Sequence, residues 1–262
     1  MTILGNDIFY KKRITLEDEE MSSIHLICGE KGGVGKSVVA RLIAQYCIDL
    51  DVPFTALDGD RSHGALLRFY RDFSSSIDID NYESADEIVN QALTKEQLVL
   101  VDLGAQSNKA LQNWINDNGL VELSDEINVP LVFWHVMDEG KDSVDLLENL
   151  VDRFGNAVNY VVVKNKGRGK RFSIFDNSQA KQKALAVNAR IIELDELYPT
   201  TMNKIDEYNC SFWAAANNRD PQTGPCLSFL ERRRVKIWLE NTYARFKETE
   251  YFSINQESCE PA

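Results

Sequence analysis

One segment of the chain brings glycines, lysines and a serine together at a spacing that suits phosphate binding. Between an apolar stretch and an amphipathic one runs Gly29-Glu30-Lys31-Gly32-Gly33-Val34-Gly35-Lys36-Ser37. Glycines let consecutive backbone N–H groups turn inward around phosphate oxygens, and the N-terminus of a following helix adds the positive end of its dipole. Lys36 can bridge the β- and γ-phosphates, and the Ser37 hydroxyl can ligate Mg²⁺. The segment therefore predicts a P-loop.

The strict P-loop pattern has a glycine at the place where this chain has Glu30. The alternative interpretation is a glycine-rich turn that contains lysines without binding phosphate. The position between a predicted strand and a predicted helix favours the P-loop. We therefore expect ATP to contact Glu30, Lys31, Gly32, Gly33, Val34, Gly35, Lys36, Ser37 and Val38.

Two further apolar runs end in aspartates, one in Asp58-Gly59-Asp60 and the other in Asp102-Leu103-Gly104. The carboxyl end of a strand beside a P-loop is the right place for a group that holds Mg²⁺ or water. We expect Asp102 to hold the metal or its water, and Gly104 to let the backbone approach the γ-phosphate. The alternatives are a helix-capping aspartate in the first segment and a simple strand-ending aspartate in the second.

The run from Lys31 to Ser37 resembles the deviant Walker A motif of the ParA/MinD family of ATPases. Within that family, residues 24–46 resemble the TraL-type ATPases of conjugative plasmids. The resemblance implies that Lys31 reaches across a dimer interface to the partner's nucleotide. It also implies that Asp58 lies in the Mg²⁺ shell through a water and that Asp60 positions the attacking water.

The same resemblance assigns a base contact to the segment after residue 163. An asparagine at this place hydrogen-bonds the adenine in the family, and Asn165 is the matching residue. The surrounding sequence, Lys164-Asn165-Lys166-Gly167-Arg168-Gly169-Lys170-Arg171, leaves two alternatives open. The segment could be a basic surface loop, or it could contact an acidic partner.

Apolar runs that are nearly continuous alternate with amphipathic stretches along the chain. The runs are Ile24–Cys28, Pro53–Leu57, Leu98–Leu103, Leu131–Met137, Val158–Val163 and, more weakly, Ala189–Leu194. Strands that are buried on both faces have this pattern. It predicts an α/β fold with a doubly wound, mostly parallel sheet and helices on both faces. We expect one P-loop domain over residues 23–250, with tails at 1–22 and 251–262.

The C-terminal stretch, residues 226–248, is predicted to be a helix that packs on this domain. The residues that follow one helical face are Leu227, Leu230, Arg234, Ile237, Asn241 and Ala244, and Trp238 and Phe246 widen its apolar sector. One alternative is a basic ridge at Arg232–Arg234 that contacts a protein or DNA. The other is a membrane anchor, which the acidic residues of the stretch disfavour.

The composition narrows the class of protein. The net charge is −12, so general attraction to nucleic acid is not expected, although a local basic patch could still contact DNA. The five cysteines form no C-x-x-C pair, which indicates reduced thiols rather than a zinc site or an iron–sulfur cluster. No apolar run is long enough to span a membrane, and the N-terminus has no apolar signal region. We expect a cytoplasmic protein.

The P-loop and the strand-ending aspartates favour an ATPase that uses Mg²⁺, and the resemblance to the ParA/MinD family implies an ATP-dependent homodimer that responds to a protein partner. Its hydrolysis is expected to be slow and stimulated by that partner. Such a switch would position, partition or transfer a plasmid or another cargo. Two alternatives stay open: a regulatory module that binds nucleotide with little hydrolysis, and a small-molecule ligase or kinase on the same fold.

Overall fold

The computed structural model describes residues 22–29, 31–60, 64–222 and 224–252. Glu30 and most of the two predicted tails lie outside these residues. The described chain contains a sheet of seven strands, all parallel, in the order β3-β2-β4-β1-β5-β6-β7. The strands are β1 (Ser23–Cys28), β2 (Phe54–Asp58), β3 (Ser74–Ser76), β4 (Leu98–Asp102), β5 (Leu131–Met137), β6 (Asn159–Asn165) and β7 (Arg190–Leu194).

Helices cover both faces of this sheet, and each face has its own hydrophobic core. They are α1 (Lys36–Asp49), α2 (Ala65–Phe69), α3 (Tyr82–Ala85), α4 (Glu87–Thr94), α5 (Asn108–Asp117), α6 (Leu120–Glu126), α7 (Lys141–Phe154), α8 (Ser173–Asp176), α9 (Gln179–Ala186), α10 (Pro199–Tyr208), α11 (Phe212–Asn217) and α12 (Phe229–Lys247). One core lies beneath α4 to α9, and the other lies beneath α1, α2 and α10 to α12. The predicted doubly wound parallel sheet is confirmed.

The apolar runs predicted six of the seven strands, with bounds that differ by no more than two residues. They did not predict β3, which consists of three serines at the edge of the sheet. An edge strand is paired on one side only and is partly open to solvent, so it needs no continuous apolar run.

The order of the strands determines where a ligand can bind. The central strand β1 lies between β4 and β5, so the chain crosses from one side of β1 to the other. A crevice opens beyond the carboxyl ends of the strands at such a switch point, and ligands of open α/β sheets bind there. The segment predicted to be a P-loop leaves β1 at this position.

The C-terminal helix α12 packs on the domain, as predicted, and Trp238 and Phe246 of the predicted apolar sector are buried, but the rest of the buried face differs from the prediction. Leu230 and Ile237, which the sequence placed inward, are 61% and 41% exposed. The buried side chains are Glu231, Val235, Trp238, Leu239, Thr242 and Phe246. This second stripe is preferred because it buries more aromatic surface: Phe246 packs on the rings of Tyr46, Trp134 and Phe252.

None of the helices in the described ranges is both long and apolar enough to cross a membrane.

Two aliphatic residues of α12 test which face is buried. Val235 is 0% exposed and Ile237 is 41% exposed. We expect Val235→Ala to lower the free energy of unfolding by about 2 kcal/mol, because methyl groups are removed from a packed core. The matched change Ile237→Ala should alter it by less than about 0.5 kcal/mol. Urea unfolding measures both, and a larger loss for Ile237→Ala would contradict this packing.

Candidate nucleotide-binding site

The loop between β1 and α1 depends on glycine at several positions. Gly29, Gly33 and Gly35 have φ angles of +132°, +77° and +101°, which L side chains rarely adopt. Gly35 precedes the first residue of α1 directly. A Cβ atom placed on Gly35 would lie 2.2 Å from Nδ2 of Asn165. The loop can therefore take this shape and position only with glycine at residue 35.

Lys36 lies beneath this loop rather than in solvent. The residue is only 8% exposed, and its Nζ donates a hydrogen bond to the carbonyl oxygen of Lys31 at 3.1 Å. Burial lowers the pKa of Lys36, and the negative charge of Asp102 acts in the opposite direction. The ammonium group is thus held inside the loop, where it faces the space that the loop encloses.

Asp102, the last residue of β4, is completely buried, and neither of its carboxylate oxygens has a hydrogen-bond partner among the described residues. Burial raises the pKa of Asp102 to about 7, and the charge of Asp58 adds to this effect. The nearby Ser37 hydroxyl and Lys36 ammonium oppose this rise in the pKa, although neither forms a hydrogen bond to the Asp102 carboxylate. A buried carboxylate without partners is costly unless a cation or a donor compensates it.

Asp58 lies beside Asp102 on the neighbouring strand β2, but its carboxylate is occupied. Oδ2 accepts hydrogen bonds from the backbone N–H groups of Leu66 and Leu67, at 2.8 and 3.1 Å, in the first turn of α2. Oδ1 accepts from the N–H of Asp60 at 3.1 Å. Asp58 therefore accepts hydrogen bonds from the N-terminal turn of a helix, which is the alternative that the sequence left open. Its predicted contact with the Mg²⁺ shell through a water stays a prediction.

Asp60 and Gly104 approach each other across the mouth of the site. A Cβ atom placed on Gly104 would lie 3.7 Å from the Cα of Asp60, so the two segments are in contact at the backbone level. The N–H of Gly59 donates to the carbonyl oxygen of Asp102 at 2.8 Å, which joins the same two segments. The predicted switch glycine and the predicted water-positioning aspartate therefore face the same space.

A cavity of about 650 Å³ joins these elements, which is a volume typical of small-molecule sites. Its lining includes most of the residues predicted from the sequence, namely Gly32, Gly33, Gly35, Lys36, Ser37, Val38, Asp60 and Gly104. Residues that were not predicted line the rest: Gly59, Asp78, Ile79, Asp80, Ala105, Gln106, Ser107 and Arg168. Glu30 lies outside the described residues.

Lys31 does not point into this cavity but forms an ion pair within the same chain. Its Nζ lies 2.8 Å from Oδ2 of Asp138, just after β5, and 3.9 Å from Oδ2 of Asp142. The hydrogen bond to Asp138 raises the pKa of Lys31. Asp138 is itself anchored, since its Oδ1 accepts hydrogen bonds from the Ser143 hydroxyl at 2.7 Å and from the Gly140 N–H at 3.0 Å.

Asn165 is buried behind the loop, where it connects two backbone segments. Its Nδ2 donates to the carbonyl oxygen of Val34 at 2.7 Å, and its Oδ1 accepts from the N–H of Gly167 at 3.0 Å. These bonds hold the segment after β6 against the phosphate-loop segment. The adenine contact stays a prediction, and it would have to use the remaining hydrogen-bonding capacity of an amide that is only 6% exposed.

The oxygen atoms at this site suit Mg²⁺ better than they suit a metal ion whose ligands all come from the protein. No group of three or more His, Cys, Asp or Glu side chains within the described ranges could hold a metal ion. Mg²⁺ needs no such cage, since it is usually bound by one or two carboxylates together with substrate phosphates and waters. The free oxygens of Asp102 and the nearby Ser37 hydroxyl have that character.

The comparisons with known proteins agree with this geometry. No protein-family model matches the sequence. A TraL protein of Escherichia coli is 30% identical over 236 residues, which make up 83% of this chain and 94% of that protein. The chain belongs to the TraL family.

Two further similarities extend this assignment. The MobD protein of Acidithiobacillus ferrooxidans is 28% identical to this TraL-family protein over 164 residues, 61% of this chain and 71% of MobD. A crystal structure of a ParA family ATPase from Chlorobium tepidum has a TM-score of 0.50 at 14% identity, and the match covers 84% of this chain and 98% of that one. The TraL-family chain therefore has the fold of a ParA-family ATPase, as the motif in its first loop predicted.

Sequence reasoning missed Asp138 and Arg168 at this site. Asp138 directly follows an apolar run, which is the same signal that identified Asp58 and Asp102, so it could have been found. Arg168 was included only as part of a basic loop, because nothing in the sequence separates it from its neighbours.

The close contact between Gly35 and Asn165 leads to a test of the loop geometry. We expect Gly35→Ala to lower the free energy of unfolding by about 1–3 kcal/mol, because alanine is strained at this φ angle and its Cβ would displace the Asn165 amide. Gly32→Ala is the matched control, since a Cβ there meets no atom within 4 Å. Urea unfolding should show almost no change for the control, and equal losses for both variants would contradict this account.

Proposed function

We propose that this TraL-family protein binds ATP with Mg²⁺ and hydrolyses it slowly, as a dimeric switch that acts in the conjugative transfer or partition of a plasmid. The observation that carries the proposal is a buried Lys36 that lines a cavity of about 650 Å³, together with a buried Asp102 whose oxygens have no partner among the described residues. A metal-bound polyphosphate would give Lys36 an anionic partner and Asp102 a cationic one.

Each residue of the site has a role that follows from its position. The backbone N–H groups of the loop and the Lys36 ammonium would hold the β- and γ-phosphates. The Ser37 hydroxyl and Asp102 would hold Mg²⁺, and the ion would neutralise part of the phosphate charge. Asp60, at the open side of the cavity, would orient the attacking water, and Gly104 would let the backbone approach the γ-phosphate.

The dimeric part of the proposal depends on Lys31. Its side chain is 30% exposed and lies at the loop surface, so it can leave Asp138 without disturbing the core. An ion pair that stays partly open to solvent, as this one does, contributes on the order of 1 kcal/mol, which a second subunit's bound nucleotide can outweigh. ATP would thus draw Lys31 away from Asp138 and into the partner's site, where its charge assists hydrolysis in the manner of an arginine finger.

A nucleotide-binding module with little hydrolysis is the second candidate. The pairing of Lys31 with Asp138 favours it, because a lysine that stays in its own chain adds nothing to the partner's site. A small-molecule ligase or kinase has less support, because a monomeric enzyme would have no use for Lys31 in a partner's site. Turnover measurements separate the first two candidates.

The test compares binding and turnover in the same variants. We expect the parent protein to bind Mg-ATP and release phosphate. Lys31→Ala should bind ATP with nearly the same affinity but lose turnover by about a thousandfold, since the lost charge acts only on the transition state. Asp138 keeps its bonds to Ser143 and Gly140 in this variant, so the fold should be maintained. Isothermal titration gives the affinity, and a phosphate-release assay gives the rate.

Two controls define the outcomes. Lys141→Ala removes another lysine near this surface, 72% exposed and paired with Asp145, and should change neither quantity. Lys36→Ala should weaken ATP binding by about 2–3 kcal/mol, because a charge-assisted contact to phosphate is lost. Absence of ATP binding by the parent would refute the proposal. ATP binding without phosphate release by the parent would leave the binding module as the function, and unchanged turnover in Lys31→Ala would refute the action of Lys31 in a partner's site.

A further inference from the structure

The basic segment Lys164–Arg171 contains five cations, three of which are paired with carboxylates of the same chain. Lys164 pairs with Glu193 and Asp176, Lys166 pairs with Glu193 and Asp195, and Lys170 pairs with Glu196. These three lysines are therefore neutralised within the chain. The other two, Arg168 and Arg171, form no ion pair among the described residues, and of these two only Arg168 lines the cavity.

Arg168 is exposed, and its guanidinium has no ion-pair or hydrogen-bond partner in the part of the chain that the structure describes. It also lines the cavity above the phosphate loop, which the three paired lysines do not. An unpaired guanidinium at the wall of a ligand cavity is a donor-rich, planar group that is available to a ligand.

The backbone at Arg168 is fixed relative to the phosphate loop. The Arg168 N–H donates to the carbonyl oxygen of Asn165 at 3.0 Å, and the Asn165 amide bonds to the Val34 carbonyl at 2.7 Å. The contact between Gly35 and Asn165 keeps the two segments together. Arg168 is therefore held at the cavity by the same bonds that shape the loop.

The position of Arg168 in the sheet indicates which end of a nucleotide it would meet. Asp58 and Asp102 end β2 and β4, on one side of β1, whereas Arg168 follows β6, on the other side. A metal bound near the carboxylates keeps the terminal phosphates on their side of the loop. The nucleoside would then extend toward β6, where Arg168 lies.

We propose that Arg168 contacts the nucleoside of the bound nucleotide, with its planar guanidinium against the base. Arginine stacks on nucleobase rings, whereas the lysine ammonium is a compact, strongly hydrated charge that cannot do so. The proposal rests on the proposed function, because it concerns a residue of the same site. It makes Arg168 a residue that determines affinity for the nucleoside rather than for the polyphosphate.

The experiment uses the full chain with three single substitutions and two ligands. Arg168→Ala and Arg168→Lys are compared with Arg171→Ala, a matched control in the same basic segment that does not line the cavity. Each variant is titrated with Mg-ATP and with magnesium tripolyphosphate, which has the phosphates but no nucleoside. Both changes at Arg168 should weaken ATP binding about tenfold, with tripolyphosphate binding unchanged. Arg171→Ala should match the parent with both ligands.

The possible results separate this inference from the proposed function. If the Arg168→Ala variant binds ATP as tightly as the parent protein does, the inference is overturned and the proposed function is unaffected. Tripolyphosphate binding that weakens in Arg168→Ala and recovers in Arg168→Lys would identify a phosphate contact and overturn the base contact. A parent protein that binds neither ligand would overturn the proposed function, and the inference with it.

Discussion

Burial of charge beneath the phosphate loop is the constraint on which the rest of this site depends. Lys36 and Asp102 both lie in the protein interior, and the oxygens of Asp102 have no hydrogen-bond partner among the described residues. Buried ions cost several kcal/mol each unless they are compensated, and the attraction between Lys36 and Asp102 compensates them only in part. Under the proposed function, a polyphosphate would compensate Lys36 and a divalent cation would compensate Asp102. Affinity for the two ligands together would then follow from the arrangement of the core.

The fold supplies the rigidity that this arrangement needs. Strand β1 lies at the centre of the sheet, with β4 and β5 paired to it on either side, so the loop that follows is anchored by the stiffest part of the domain. Asn165 reaches from β6 to the carbonyl of Val34 and fixes the loop from behind. On the outer side, the pairing of Lys31 with Asp138 is only partly buried. Among the described residues, the site thus combines a loop that is held from the sheet and from behind with a partly exposed ion pair at its edge.

Much of this was predictable from the sequence because the signals are local. The glycines, Lys36 and Ser37 adjoin one another, and Asp58 and Asp102 each end an apolar run that had to become a strand. The pairing of Lys31 with Asp138 was not predictable, since the two residues are far apart along the chain and only the adjacency of β1 and β5 brings them together. The buried face of α12 was predicted only in part, at Trp238 and Phe246, for a related reason. The sequence shows two apolar stripes, and only the aromatic cluster around Trp134 decides between them.

Thermal unfolding of the parent and of Asp102→Asn, each with and without Mg-ATP, tests the central claim most directly. The pKa of Asp102 is raised to about 7 in the folded protein from an ordinary value of 3.8. Ionisation of Asp102 therefore lowers the stability of the folded state, increasingly as the pH rises between these two values and fully above the higher one. At pH 8 and without ligand, Asp102→Asn should therefore melt at a higher temperature than the parent. Mg-ATP should raise the melting temperature of the parent well beyond the effect of adenosine, and that of Asp102→Asn much less. A lower melting temperature for the unliganded variant, or equal gains with Mg-ATP in both proteins, would contradict the account.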